Sequence, residues 1–319
     1  MKKILIVGAG GQIGSELVPH LRSIYGNNNV VAADISAEKC KVLAEAGPFE
    51  ELNALDGEKY TAIVKKYGID TIFNLVALLS ATGEKNPVLA WNINIGALTN
   101  SLNIAKDNDC AVFTPSSIGA FGEDRPKDKT PQDTLQRSNP TIYGVCKVTG
   151  ELLSDYYFNR FGVDTRSVRF PGLISYVTLP GGGTTDYAVE IYYDAIRRGA
   201  FTCNVKAGTY MDMMYMPDAL NAVVQLMEAD PSRLKHRNSF NIAAMSFEPG
   251  QIAAEIRKHL PDFKMDYQID PVKQAIADSW PNSMDDSCAR EEWGWKPEYN
   301  LQNMTVDMLV KVKEKFDKG

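Results

Sequence analysis

Short apolar runs alternate with amphipathic stretches along the first 170 residues of the chain. Ile4-Leu5-Ile6-Val7 predicts a strand, followed by a glycine-rich turn and a helix through about Arg22. Further strands are expected at Val30–Ala33, Thr71–Val76, Ala111–Pro115 and Thr165–Phe170. Helices are expected at Ala37–Ala46, Glu58–Tyr67, from Pro87 to about Lys106, and at Tyr143–Phe161. Strands that are almost wholly apolar and separated by helices build a parallel sheet covered on both faces. Beyond Phe170 the pattern loosens. A loop at Pro180–Thr185 leads into a helix over Asp186–Arg198, another helix spans Asp218–Ala229, and Ser239–Ile242 is a short strand. The last ~75 residues mix helix and loop and are rich in Trp, Met and Pro, by the same periodicity reading. No repeat, low-complexity tract or polar linker separates the two halves, so the second is expected to interleave with the first.

Composition narrows the class. A chain of 319 residues with 44% hydrophobic and 23% charged positions is that of an ordinary globular protein. The net charge of −6 argues against nucleic acid or an anionic membrane as partner. No apolar run approaches the ~20 residues that span a bilayer. Lys2-Lys3 before Ile4–Val7 imitates the start of a signal peptide, but glycines end the apolar stretch too soon. Five scattered cysteines without a CxxC pair predict neither a disulfide framework nor zinc, and a reduced, cytoplasmic setting is the expectation. His20, His236 and His259 are read as structural, and no metal is expected.

Gly8-Ala9-Gly10-Gly11-Gln12-Ile13-Gly14 follows the first strand and opens the first helix. Glycines there permit a tight turn and let backbone N–H groups approach a pyrophosphate at the helix N-terminus. Asp34 lies 20 residues after Gly14, at the end of the second strand, where a carboxylate can hold ribose hydroxyls. Ile35-Ser36 follow it rather than a basic residue, which favours NAD over NADP. The expected fold is therefore α/β: a Rossmann doubly wound parallel sheet with a smaller, interleaved C-terminal α/β substrate lobe. Residues 1–172 would form the NAD-binding domain, with 218–243 returning to it. Residues 173–217 and 244–319 would form the substrate lobe.

Tyr143 and Lys147 are four residues apart, on one face of a helix. Ser116-Ser117 sits just after a predicted strand upstream, and Arg169-Phe170-Pro171-Gly172 follows downstream. A tyrosine with its ordinary pKa of ~10 is a poor base near neutral pH. An adjacent ammonium and a positive nicotinamide ring both favour phenolate. A tyrosine so placed can remove a hydroxyl proton as hydride leaves the same carbon.

The spacing Gly8, Gly11, Gly14 and the ordered Ser117, Tyr143, Lys147 set resemble the extended short-chain dehydrogenases. That resemblance implies cofactor contacts at Gly8, Gly11, Gln12, Ile13, Gly14, Asp34, Ile35, Ser36, Leu75, Ala77, Pro171 and Ile174. It also places Asn53-Ala54 at the adenine, with Asn where Asp is usual, and makes Asn94 a structural residue beside the cofactor. Lys147 would hold the nicotinamide ribose and Ser117 the substrate oxygen. Many such enzymes act on nucleotide sugars, and a basic residue is then usual where this chain has Met211. The segments Ala77–Pro87, Ser116–Gly122, Arg169–Ser175, Pro180–Tyr187, Asp278–Pro281 and Trp293–Trp295 instead resemble short-chain-type L-threonine 3-dehydrogenases.

The resemblance implies NAD-dependent oxidation of the L-threonine β-hydroxyl to 2-amino-3-ketobutyrate, a product that loses CO2 to form aminoacetone or passes to a CoA ligase. It places Ser80, Ser116, Ser117, Tyr143, Gly182, Thr184 and Trp280 at the substrate. It also implies a homodimer through helices near 87–106 and 143–161. The Gly181-Gly182-Gly183-Thr184 stretch offers backbone N–H groups and a hydroxyl to a carboxylate. Asp186 has two roles open to it: receiving the substrate ammonium, or supplying charge at a helix N-terminus. A nucleotide-sugar epimerase or dehydratase, and a non-catalytic NAD-binding regulator, are the competing readings.

Overall fold

The computed structural model describes residues 1–134, 140–179 and 181–318. In chain order the first half holds β1 (Ile4–Val7), α1 (Gln12–Tyr25), β2 (Val30–Asp34), α2 (Lys41–Ala46), β3 (Phe49–Glu51), α3 (Gly57–Tyr67), β4 (Thr71–Asn74), α4 (Ser80–Lys85), α5 (Pro87–Asn108), β5 (Ala111–Phe113), β6 (Ser116–Ser117) and α6 (Ile142–Phe161). Then follow β7 (Thr165–Arg166), β8 (Val168–Phe170), β9 (Gly172–Ile174), α7 (Tyr187–Arg198), β10 (Ala200–Cys203), β11 (Met211–Tyr215) and α8 (Met216–Glu228). The chain ends with β12 (Phe240–Asn241), β13 (Met245–Phe247), α9 (Pro249–Arg257), β14 (Lys264–Tyr267), α10 (Pro271–Ser279), α11 (Ser287–Trp293) and α12 (Leu301–Lys318).

Six strands form a parallel sheet in the order β3-β2-β1-β4-β5-β7. This is the doubly wound α/β arrangement expected. The strand order reverses between β1 and β4, and a ligand crevice opens where strand order reverses. Local chemistry sets the helix ends. Asn86 caps α5 by accepting from Leu89 N at 3.1 Å, with Pro87 in the first turn. Thr141 caps α6 by accepting from Gly144 N at 3.1 Å, and Gly162 ends it in a left-handed conformation.

Three apolar clusters hold the molecule together. One lies between the sheet and α3, α5 and α6, with Tyr60, Leu98 and Leu102 buried in it. The opposite face of the sheet is covered by α1 and α8 together with Phe240, Trp293 and Trp295. The third cluster, built on α7, β11, α9 and α12, is the core of the second lobe. The segment from Met216 to Asn241 thus returns to the sheet side, where β12 pairs with β8.

Several boundaries differ from the sequence reading. The strand expected over Thr165–Phe170 is broken at Ser167: Thr165–Arg166 stays in the large sheet, while Val168–Phe170 joins β6 and β12. Ser167 Oγ accepts from Ser116 N at 3.1 Å across that break. The helix expected from Ala37 begins at Lys41, because residues before it are drawn into a turn by the Cys40 N–H bond to Ala37 O. The helix expected from Asp218 starts at Met216, with Pro217 in its first turn. Proline is tolerated there because that N–H has no intrahelical partner.

Candidate active site

The glycine-rich loop leaves β1 at the reversal of strand order. Gly8 has φ +87°, and a Cβ on it would press on Leu75 C at 3.1 Å. A Cβ on Gly14 would lie 2.4 Å from Gly8 O, so only glycine lets α1 start this close to the loop. The loop forms one end of a cleft lined by Gly8, Gly11, Gln12, Ile13, Gly14, Leu75 and Ala77. Gln12 Nε2 is buried without a protein partner, a donor suited to a bound polar group. Asp34 Oδ2 accepts from Gly10 N at 2.8 Å and its Oδ1 from Ser36 N at 2.9 Å. The carboxylate expected to read the ribose thereby braces the loop. Ile35 is exposed beside it. Asn53 is exposed too, and its Oδ1 accepts from Leu55 N at 3.0 Å; Ala54 O accepts from Asn100 Nδ2 at 2.9 Å.

At the other end of the same cleft stand Ser117, Tyr143, Lys147, Pro171, Ser80, Thr184, Asp186 and Trp280. Lys147 Nζ donates to Pro115 O at 2.6 Å and lies 5.3 Å from the centre of the Tyr143 ring. An ammonium has three donors, so two remain for a ligand. Ser117 Oγ accepts from Gly119 N at 3.1 Å, which leaves its own O–H to donate. Gly119 sits against the Tyr143 ring, where a Cβ would come within 3.1 Å of Cε1. Thr184 Oγ1 is buried with no partner within the protein.

Three expected contacts are not free to meet a ligand in this cleft. Ser116 reaches the cleft, but its hydroxyl donates to Glu151 Oε1 at 2.5 Å and is not free for substrate. Glu151 is in turn held by Arg169 through Nε at 2.9 Å and Nη2 at 2.8 Å, and both residues are buried. Arg169 also donates to Gln132 O and to Asn241 Oδ1, and stacks over Phe121. Ile174 is fully buried in β9, opposite Tyr215. Asn94 exchanges two hydrogen bonds with the Leu78 backbone, at 2.7 and 3.2 Å. It lines a small adjoining space of about 30 Å³ behind Lys147, wide enough for one or two waters. Asn74 Oδ1, on the wall of that space, has no protein partner.

Gly182 and Gly183 supply the clearest correction. Their N–H groups donate to Asp186 Oδ2 at 2.9 and 2.7 Å, so the expected anion cradle is filled by the chain's own carboxylate. Pro180, the first residue of that loop, lies outside the described residues. Burial pushes the Asp186 carboxyl up to about 6, against the opposing pull of the two glycine N–H groups and Lys273. Lys147 and Asp186 supply the cleft's cation and carboxylate among the described residues. Glu151, its pairing with Arg169 and the bonding of Asp186 to the glycine loop escaped the sequence reading. The first had a signal, since it follows Lys147 by one helical turn.

A dinucleotide cleft on a doubly wound sheet, with Ser, Tyr and Lys converging at its far end, defines a class. The model of the NAD dependent epimerase/dehydratase family matches residues 4–243, and the chain belongs to that family. Its cofactor is NAD, and the residues lining the cleft fit that group. An X-ray structure of L-threonine dehydrogenase from Clostridium difficile is 58% identical, with a TM-score of 0.96 over 99% of this chain and 98% of that one. The holo form of an L-threonine dehydrogenase from Cupriavidus necator is 48% identical, with a TM-score of 0.94 over 97% of this chain and 99% of that one. An uncharacterized epimerase/dehydratase of Staphylococcus haemolyticus is 56% identical over 315 residues, covering 99% of both chains.

Proposed function

We propose that this chain is an NAD-dependent, metal-independent L-threonine 3-dehydrogenase. The observation that carries the reading is the small, polar and charged end of the cleft. Beyond Tyr143 the walls are Ser80, Thr184, Asp186 and Trp280, and Met211 is packed into an apolar core. That leaves no basic group for a diphosphate among the described lining residues other than Lys147. A zwitterionic amino acid fits such a space. The unpartnered Thr184 hydroxyl and Ser80 are suited to its carboxylate, and Asp186 to its ammonium.

When bound, NAD supplies the acceptor for the hydride that leaves the β-carbon. Tyr143 takes the β-hydroxyl proton while the C–O bond becomes a ketone, giving 2-amino-3-ketobutyrate. Ser117 donates to the substrate oxygen and holds it toward Tyr143. Lys147 stabilises the phenolate by its charge and keeps two donors for the nicotinamide ribose. The test is NADH formation from L-threonine and NAD. Threonine-dependent NADH is expected; turnover of a UDP-sugar without it would overturn the reading in favour of an epimerase.

The same reading makes the protein a homodimer through α5 and α6, and its product is of the kind a CoA ligase consumes. Val88, Leu89 and Trp91 on α5, and Val145, Leu152, Tyr156 and Phe161 on α6, are exposed apolar side chains on adjacent helices. Leu152 is 65% exposed. Apolar surface gathered in this way marks an interaction site. Sedimentation equilibrium should give a dimer that Leu152→Glu dissociates; a wild-type monomer would refute this interface.

A further inference from the structure

Outside the cleft, one group of side chains brings together an imidazole, a thiol and a carboxylate. We propose that His236, Cys288 and Glu292 form a divalent-cation site whose donor set matches Zn2+.

Cys288 and Glu292 are one turn apart on α11 and share a face, while His236 comes from the loop that enters β12. One ligand atom from each of the three residues lies within 4.8 Å of the others. The remote position of His236 in the chain is why spacing alone predicts no metal centre. The donors are also oriented. Glu292 Oε2 accepts from Lys235 N at 2.6 Å and His236 N at 3.2 Å, which turns Oε1 toward the imidazole. His236 Nε2 faces Asp133 Oδ2 at 3.4 Å, which turns Nδ1 toward Glu292. Secondary partners of this kind fix the direction of metal-ligating histidines and carboxylates.

Nδ1 and Oε1 are 2.5 Å apart and face each other. A cation placed between them bonds both atoms, and their separation opens to roughly 3.3 Å, the span of tetrahedral bonds of about 2.0–2.2 Å. The third donor sits in a negative field: burial and the carboxylates of Glu292, Asp133, Asp285 and Glu291 push the Cys288 thiol up. The same field favours a cation, and a bound cation in turn draws out the thiolate. Cys288 is partly exposed, which leaves a fourth position to water. The mixed sulfur, nitrogen and oxygen set suits zinc better than magnesium or calcium, which prefer oxygen alone. The cation would tie α11, whose Trp293 is buried beside Phe240, to the strand that pairs with β8. It lies outside the cleft and serves stability rather than turnover.

The test is a Co2+ titration of the full chain after treatment with a chelator. The expected result is a near-ultraviolet thiolate-to-cobalt band that saturates at one ion per chain, is displaced by Zn2+, and is absent in Cys288→Ser. His236→Asn is expected to weaken binding at least 10-fold, on the scale by which orienting partners alone affect metal sites. Zn2+ should raise the melting temperature of the wild type and not that of Cys288→Ser. Circular dichroism of both metal-free variants checks that they are folded. The other four cysteines are buried, so the band reports Cys288. No band, a band unchanged by Cys288→Ser, equal affinity in His236→Asn, or saturation only above one ion per chain would each overturn the site.

Discussion

Replacing Asp186 by Asn isolates the energetics of the glycine loop that lines the far end of the cleft. In the native protein one carboxylate oxygen takes the N–H groups of both Gly182 and Gly183. Burial and the neighbouring Glu190 raise the carboxyl, while the two N–H groups and Lys273 lower it, and the balance stands at about 6 against an ordinary 3.8. The sign follows from proton binding. Between about 4 and 6 the folded state holds this proton more tightly than the unfolded chain, so stability falls as pH rises through that window. Above it the full cost remains, about 3 kcal/mol for a shift of this size.

An Asn oxygen still accepts the two N–H bonds but carries no charge. Asp186→Asn should therefore be more stable than wild type at pH 8, by at most about 3 kcal/mol and less where the new NH2 lacks a partner. In a chain of this length each kcal/mol moves the melting temperature by roughly 1.5 °C, so the rise is at most about 4.5 °C. Between about pH 4 and 6, wild type should lose stability relative to the variant. Melting curves across that range measure both effects. A variant no more stable at pH 8, with an unchanged pH dependence, would refute the electrostatic account. The same substitution should raise KM for L-threonine by roughly 30-fold or more, the scale of losing one partner of a buried charge pair. NAD affinity should be nearly unchanged.

Tyr143→Phe removes the proton acceptor and should lower turnover by about 10²–10⁴-fold while NAD still binds, by fluorescence titration; full activity would remove the assignment. Glu151→Ala leaves the buried Arg169 guanidinium without its carboxylate and should cost about 3–5 kcal/mol in denaturant unfolding. A loss below 1 kcal/mol would show that Arg169 finds another partner.

The features read directly from the chain are those encoded by local spacing. Gly8, Gly11 and Gly14 follow an apolar run at fixed steps, and Tyr143 and Lys147 share a helical face. Elements made by distant pairing were harder to see. β6 and β12 are two residues each, and β9 is three, and each exists because remote strands lie beside it. The Gly181–Gly183 stretch was legible as a loop. The acceptor of two of its N–H groups was not, because Asp186 reaches them only through the loop's three-dimensional course. Ser116 and Ser117 are adjacent and alike in sequence, yet one is spent on Glu151 and the other faces the cleft. Only tertiary packing distinguishes them.

The path of the chain back to the sheet has a consequence for modularity. A fragment ending near Gly172 would hold the glycine loop, Asp34, Ser117, Tyr143 and Lys147, the residues proposed to handle NAD and the proton. It would lack α8, Phe240, Trp293 and Trp295, which cover one face of the sheet. That face would meet water, and the fragment would have no closed core. Cofactor binding in this chain is therefore not a detachable cassette. The segments that finish the NAD side and those that shape the substrate end alternate along one backbone, so inherited changes in substrate preference must leave that shared interior intact.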